Sequence, residues 1–153
     1  MHSWKDPFSA YWSNILVHCI FPNPRQRGLA TLNSNSDTPV IDPPPPKGGI
    51  DQEILAFCAQ KVPLQDRHER RLVYRRRGKT ITLIEQRPYW KDPSLWGDCP
   101  VAQIRFDDRD QAWTLHWHDG QRRWRQYTEI PGSRTIARLL TEVDEDPMGI
   151  FWG

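Results

Sequence analysis

Long apolar runs are missing from this chain. The longest, Ile15-Leu16-Val17-His18-Cys19-Ile20-Phe21, is seven residues and holds a histidine. A membrane-spanning helix needs about 20 apolar residues, so no span is expected. No basic segment precedes the run, which makes it a poor signal peptide. Cysteine is scarce as well. Cys19, Cys58 and Cys99 lie far apart and are odd in number, which reads as free thiols in a reducing cytoplasm rather than a disulfide framework. No pair of them has the close spacing of a zinc site. Gly48-Gly49 lacks the motif of a phosphate-binding loop. No Ser/His/Asp or Cys/His arrangement has recognisable spacing, and no cofactor is implied. A strong charge of one sign is absent too: 21 Lys and Arg against 19 Asp and Glu leave +2, too little to mark a polyanion binder by itself. These absences describe a soluble, cytoplasmic protein without a membrane partner.

What is present is unevenly spread. Length, at 153 residues, suits one domain with an extension. Composition shifts near residue 48, after Asp42-Pro43-Pro44-Pro45-Pro46-Lys47-Gly48-Gly49. Four prolines in a row favour a stiff polyproline segment. Residues 1–21 read as an N-terminal extension, 22–48 as a Pro-rich linker and 49–153 as a domain. The extension is a partner-binding peptide, a strand that docks on the domain, or a loose leader, and the loose or docked-but-inert reading is preferred because loose termini are common. Trp4-Lys5-Asp6-Pro7 recurs as Trp90-Lys91-Asp92-Pro93, without surroundings that support a duplication.

Within the domain the pattern predicts a helix over 50–62. Ile50, Ile54, Phe57, Cys58 and Val62 recur at helical spacing, Asp51 and Glu53 suit its positive end, and Pro63 stops it. Strands follow. Residues 72–77 and 80–85 flank Gly78-Lys79, a two-residue hairpin turn. That pairing puts Leu72, Tyr74, Ile81 and Leu83 on one face, with Arg71, Val73, Arg75, Arg77, Thr80, Thr82 and Ile84 on the other. Residues 88–100 read as a loop. Residues 101–106 form a third strand with Ala102, Ile104 and Phe106 inward. Strands over 113–118 and 121–127 flank Asp119-Gly120, read as a second two-residue turn. His118 then opposes Gln121, and Leu115 opposes Trp124. Trp113, Leu115, Trp117 and Trp124 share the core face, while Thr114, His116, His118, Arg123, Arg125 and Tyr127 face outward. A last helix is expected after Ser133, its cap, with Ile136, Leu139, Leu140 and Val143 as its stripe. A sheet with one apolar face needs a cover. The fold class is therefore α+β: two layers, a five-stranded antiparallel meander, and an N-terminal and a C-terminal helix packed on one face.

Residues 70–153 also resemble a bacterial family of unassigned role, the domain of unknown function 3024 family. The resemblance rests on Leu72-Val73-Tyr74, the Gly78 hairpin, Leu83-Ile84-Glu85-Gln86-Arg87-Pro88, residues 100–106, Trp113-Thr114-Leu115-His116-Trp117 and, most specific, the tail Asp146-Pro147-Met148-Gly149-Ile150-Phe151-Trp152-Gly153. It implies domain boundaries and brings no activity, cofactor or catalytic residue.

Five groups of residues remain as carriers of function. The first is the outward sheet face, gathering Arg71, Arg75, Arg77, Gln103, Arg105, Thr114, His116, His118, Arg123, Arg125 and Tyr127 with no acid. Guanidinium forks suit phosphates and stack on bases, so nucleic acid or another polyanion is the expected partner. An ordinary solvated face is the competing reading. The second is His116-x-His118, two imidazoles on one side of a strand and a weak metal candidate, which would make the protein a metal-dependent hydrolase or nuclease. It lacks a third ligand of fixed spacing, and Arg123 and Arg125 would repel a cation. The third is Glu85, inward-facing, which needs a cation such as Arg87, Arg70 or Arg105. The fourth is Glu142, Asp144, Glu145 and Asp146 at a helix C-terminus, where acids oppose the dipole; a solvated helix end is the favoured reading. The fifth is Ile150-Phe151-Trp152, which plugs the core or docks on a protein partner, the core being favoured. The preferred function is a non-catalytic polyanion-binding module. A protein-interaction adaptor using residues 1–21 or the tail is a further alternative.

Overall fold

A computed structural model describes residues 49–152. The N-terminal extension and the Pro-rich linker expected over residues 1–48 lie outside the described residues. Helix α1 (Ile50–Lys61) opens the described part. Its Ile54 and Cys58 are buried, and Val62 and Pro63 turn the chain out of the helix. A short 3-10 turn, Leu64–Asp66, leads to the sheet.

The sheet consists of β1 (Arg71–Arg77), β2 (Thr80–Tyr89), β3 (Asp92–Asp107), β4 (Ala112–His118) and β5 (Trp124–Gln126), antiparallel and neighbours in chain order. Helix α2 (Ile136–Glu145) follows. The α+β meander with one helix at each end is the architecture expected from the sequence. The β1–β2 register is also as expected: Arg77 pairs with Thr80 and Leu72 with Glu85. Gly78, first in the turn, takes φ 57, the left-handed conformation that this hairpin turn needs at that position.

Three local expectations are overturned. The first is the loop over 88–100, which is strand. β2 and β3 run on to a turn at Trp90-Lys91, with Tyr89 paired to Asp92. A bulge makes this possible. Leu83 pairs with Ala102 but Ile84 with Pro100, so Val101 is the extra residue. Pro100, with no N–H to give, sits where the ladder is already broken. Beyond the bulge the side chains of β3 exchange faces.

The second is the β4–β5 turn. His118 pairs with Trp124, Trp117 with Arg125 and His116 with Gln126, three residues away from the two-residue register. An odd slip exchanges the faces of β5. The loop over 119–123 is closed by the Asp119 N–H donating to the Arg123 carbonyl at 3.0 Å. The Asp119 carboxylate accepts the N–H groups of Gln121 and Arg123 at 2.9 and 3.2 Å. Gly120 and Arg122 both take positive φ. Packing supplies the reason for the choice. Tyr127 is 3% exposed, its ring tilted against Phe151 at 5.4 Å, and its hydroxyl donates to Glu142 at 2.6 Å. Burial, and then the Glu142 hydrogen bond, push its phenol up to about 12. Tyr127 therefore faces the core, and Trp124, expected in the core, faces out.

The third is the cap of α2. The N-cap is Thr135, with no side-chain cap bond. Ser133 instead bridges to Trp113 through both backbone groups, and its hydroxyl accepts from the Thr135 N–H at 3.2 Å.

One core holds the layers together. Ile54 and Val62 from the α1 region, Leu72, Ile81, Leu83, Ala102, Ile104 and Leu115 from the sheet, Leu139 and Val143 from α2, and Phe151 from the tail belong to one buried cluster. The tail is a built structure. Asp146, in the left-handed region at φ 40, caps α2. Its carboxylate accepts the N–H groups of Ile150, Phe151 and Trp152 at 2.8–3.2 Å. The Trp152 indole donates to the Val143 carbonyl at 2.6 Å. Lys61 pairs with Asp144 at 2.7 Å and stands 4.7 Å from the Trp152 ring. Three of the four acids at the end of α2 are thus engaged, Glu142 by Tyr127, Asp144 by Lys61 and Asp146 by the tail, while Glu145 is exposed.

The cysteines correct a further expectation. Cys58 is free and buried, with burial pushing its thiol up to about 11, which keeps it protonated and inert. Cys99 is disulfide-bonded, so the argument from three free thiols to a reducing compartment does not stand. Among the described residues no helix is long and apolar enough to cross a membrane.

Candidate polyanion-binding face

Registers define the outward face row by row. Arg77 on β1 pairs with Thr80 on β2, Thr80 with Arg105 on β3, and Arg105 with Thr114 on β4. The next row is Arg75, Thr82, Gln103, His116 and Gln126. Further along, Arg71 pairs with Gln86 and Gln86 with Asp98. Strand spacing of about 4.8 Å puts the Arg77 and Arg105 backbones about 10 Å apart.

The side chains on these rows differ in what they already bind. Arg71 stands over Trp96, its guanidinium 3.9 Å from the ring centroid, and donates to the Arg67 carbonyl. Arg75 pairs with Asp98 at 2.7 Å, and Gln86 donates to the other Asp98 oxygen at 2.8 Å. Arg105 donates to Gln103 at 2.7 Å, and Gln103 to Thr82 at 3.0 Å. Arg77 makes no ion pair among the described residues. The face therefore carries four of the expected arginines, Arg71, Arg75, Arg77 and Arg105. The acid-free expectation fails. The bulge turns Asp98 outward, and Asp107 has the same parity at the other end of β3.

The remaining predicted residues are elsewhere or differently placed. Arg123 stands in the 119–123 loop and Arg125 on the core side at the rim. Both reach the Asp119 carboxylate, at 3.5 and 3.0 Å. Burial of Asp119 opposes its ionisation, but the N–H groups and guanidinium around it hold its carboxyl below the usual range. Tyr127 belongs to the core. His116 and His118 do share the outward face. The His118 ring meets Trp124 edge-on at 5.1 Å. His116 is 8% exposed, and its Nδ1 has no hydrogen-bond partner among the described residues. Among those residues no three His, Cys, Asp or Glu side chains gather to hold a metal ion. Glu85 is a structural ion pair. It is 5% exposed and bonded by Arg87 at 2.8–2.9 Å, with Arg70 at 3.9 Å; Arg105, on the opposite face, takes no part.

Trp96 and Trp124 are the outward aromatics that sequence reasoning missed. Both follow from register, one through a bulge and one through a slipped hairpin.

His116 has a consequence for stability. Burial, then the nearby Arg105 charge, lower its pKa from 6.5, against the pull of the Gln103 and Thr114 carbonyls. The folded state then binds fewer protons than the unfolded one. Stability from this group is complete above about pH 6.5 and is lost as pH falls toward the lower folded value. Denaturant melts between pH 7.5 and 5 are expected to show His116→Gln losing less stability on acidification than wild type. Parallel losses would show that His116 is not held neutral.

Comparison with known proteins adds no chemistry to this geometry. Residues 43–153 match a family described as Domain of unknown function (DUF3024). The chain belongs to that family. The match starts before α1, so the DUF3024 unit includes the first helix as well as the meander. No curated protein and no solved structure matches.

Proposed function

We propose that this DUF3024 domain is a non-catalytic module that binds nucleic acid or another polyanion across the β1–β3 part of its outward face. The observation that carries the reading is the first row. Arg77 and Arg105 flank Thr80 on one face, and neither has a carboxylate partner among the described residues. Guanidinium groups held about two strands apart offer paired donors to successive phosphates. Arg71 and Arg75 extend the positive strip along an edge strand. Arginines on an edge also deter strand-to-strand aggregation, and that role alone would leave polyanions unbound.

Binding of labelled DNA, RNA and heparin by wild type and by a triple Arg75→Ala, Arg77→Ala, Arg105→Ala variant separates the two. The variant is expected to retain its fold, since Arg75 and Arg77 are exposed, Arg105 is half-buried and none of the three belongs to the apolar core, and to lose at least about tenfold in affinity. Equal binding by the two proteins would end the proposal.

A further inference from the structure

The β2–β3 hairpin outruns its neighbours. β1 pairs with β2 only as far as Gln86, and β4 pairs with β3 only as far as Ala102. Among the described residues, 87–97 thus form a two-stranded arm beyond the end of the sheet. A free two-stranded ribbon is marginal in water, and this one is anchored at its base by the buried Glu85–Arg87 pair. Its tip carries Trp90, 56% exposed. Trp90 thus presents a large aromatic surface to a partner. The Lys91 ammonium stands 4.9 Å from the Trp90 ring centroid, and the Tyr89 ring meets it edge-on at 6.1 Å. Trp96, on the same arm, is stacked by Arg71. Flat rings backed by cations therefore recur along the arm, and the arm lies on the same hairpin as Thr80 and Arg105, with Arg77 on the neighbouring β1. About ten residues of β2, roughly 33 Å at strand rise, connect the two.

We infer that the arm stacks unpaired bases, with Trp90 and the Arg71–Trp96 pair as platforms, and that the partner of this face is single-stranded nucleic acid. This rests on the polyanion reading above. The reasoning is chemical. Phosphates satisfy arginines in any polyanion, but a cation-backed indole gains only from a flat aromatic group. In a duplex the base faces are already covered by their neighbours, whereas a single strand presents them. A sulfated sugar polymer has none. The acids on and beside the arm are already engaged. Asp98 is bonded by Arg75 and Gln86, and Asp92 accepts from the Ser94 N–H and hydroxyl.

The test uses the full chain and three probes: a labelled thymidine oligomer, a duplex of equal length, and heparin. Proteins are wild type, Trp90→Ala, Trp90→Phe and the triple arginine variant. Trp90 is exposed, so its substitution leaves the fold intact, as a thermal melt will show. The oligomer is expected to bind more tightly than the duplex. Trp90→Ala should weaken oligomer binding at least about fivefold and leave heparin binding unchanged, and Trp90→Phe should restore most of the loss. If the oligomer binds Trp90→Ala as well as wild type while the arginine variant binds nothing, base stacking is overturned and the polyanion reading survives. If wild type binds none of the three probes, both are overturned.

Discussion

Phe151→Ala is expected to destabilise the domain by about 3–5 kcal/mol, roughly a fifth or more of the stability of a typical domain. Phe151 is 5% exposed and packs on Tyr127, whose hydroxyl is tied to Glu142. Its backbone is fixed by the Asp146 carboxylate, so the site cannot collapse easily around the lost ring. The cavity would open where the tail, α2 and the end of the sheet meet. Urea unfolding of wild type and variant measures the loss. A change below about 1 kcal/mol would instead mark the tail as a docking element held loosely against the domain, which is the adaptor reading. Polyanion binding by the folded variant should be unchanged, because Phe151 belongs to the core cluster on the covered side of the sheet.

Arg87→Ala is expected to cost about 3 kcal/mol or more. The Glu85 carboxylate is 5% exposed, and its short contacts are to Arg87. Arg70, at 3.9 Å and with its side chain 42% exposed, does not replace them. Removing one partner of a buried pair leaves a charge without compensation, whereas replacing both with apolar groups of similar size is often neutral. The double variant Glu85→Leu, Arg87→Met should therefore recover most of the loss in the same urea series. If Arg87→Ala is neutral, Glu85 is not the buried anion that the structure describes. If the single and double variants are equally unstable, the arm is held by packing of the long side chains, and the charge is incidental.

The elements themselves were legible because the patterns that specify them are local. Ile50, Ile54 and Cys58 at helical spacing, alternation through residues 80–85, and Gly78 in a two-residue turn each favour one structure within a few residues. The inward set Leu72, Ile81, Leu83, Ala102, Ile104 and Leu115 follows from them. What could not be read was parity beyond an irregularity. Nothing in Pro100-Val101 announces that the chain gains one residue there, yet that bulge turns Trp96 and Asp98 outward and so adds an acid and an aromatic to the face. The Asp119-Gly120 pair promises a two-residue turn. The Asp119 carboxylate instead binds two backbone N–H groups and the side chains of Arg123 and Arg125, which holds a five-residue loop. Burying Tyr127 against α2 is a tertiary gain that local turn preference does not register. Four of the eight residues expected to bind polyanion, Arg71, Arg75, Arg77 and Arg105, stand as arginines on the outward face, and His116 joins them largely buried. Arg123, Arg125 and Tyr127 do not, since all three depended on the slipped hairpin.

The salt dependence of binding tests the central claim most directly. If Arg75, Arg77 and Arg105 meet phosphates, each contact releases counterions, and the logarithm of affinity falls linearly with the logarithm of salt, by about 0.7 per phosphate for a single strand. Wild type titrated with a thymidine oligomer across a salt series is expected to give a steep line. The triple alanine variant should give one shallower by about 2, three contacts at about 0.7 each. Two parallel lines, or an affinity that ignores salt, would contradict the assignment of this face to polyanion binding.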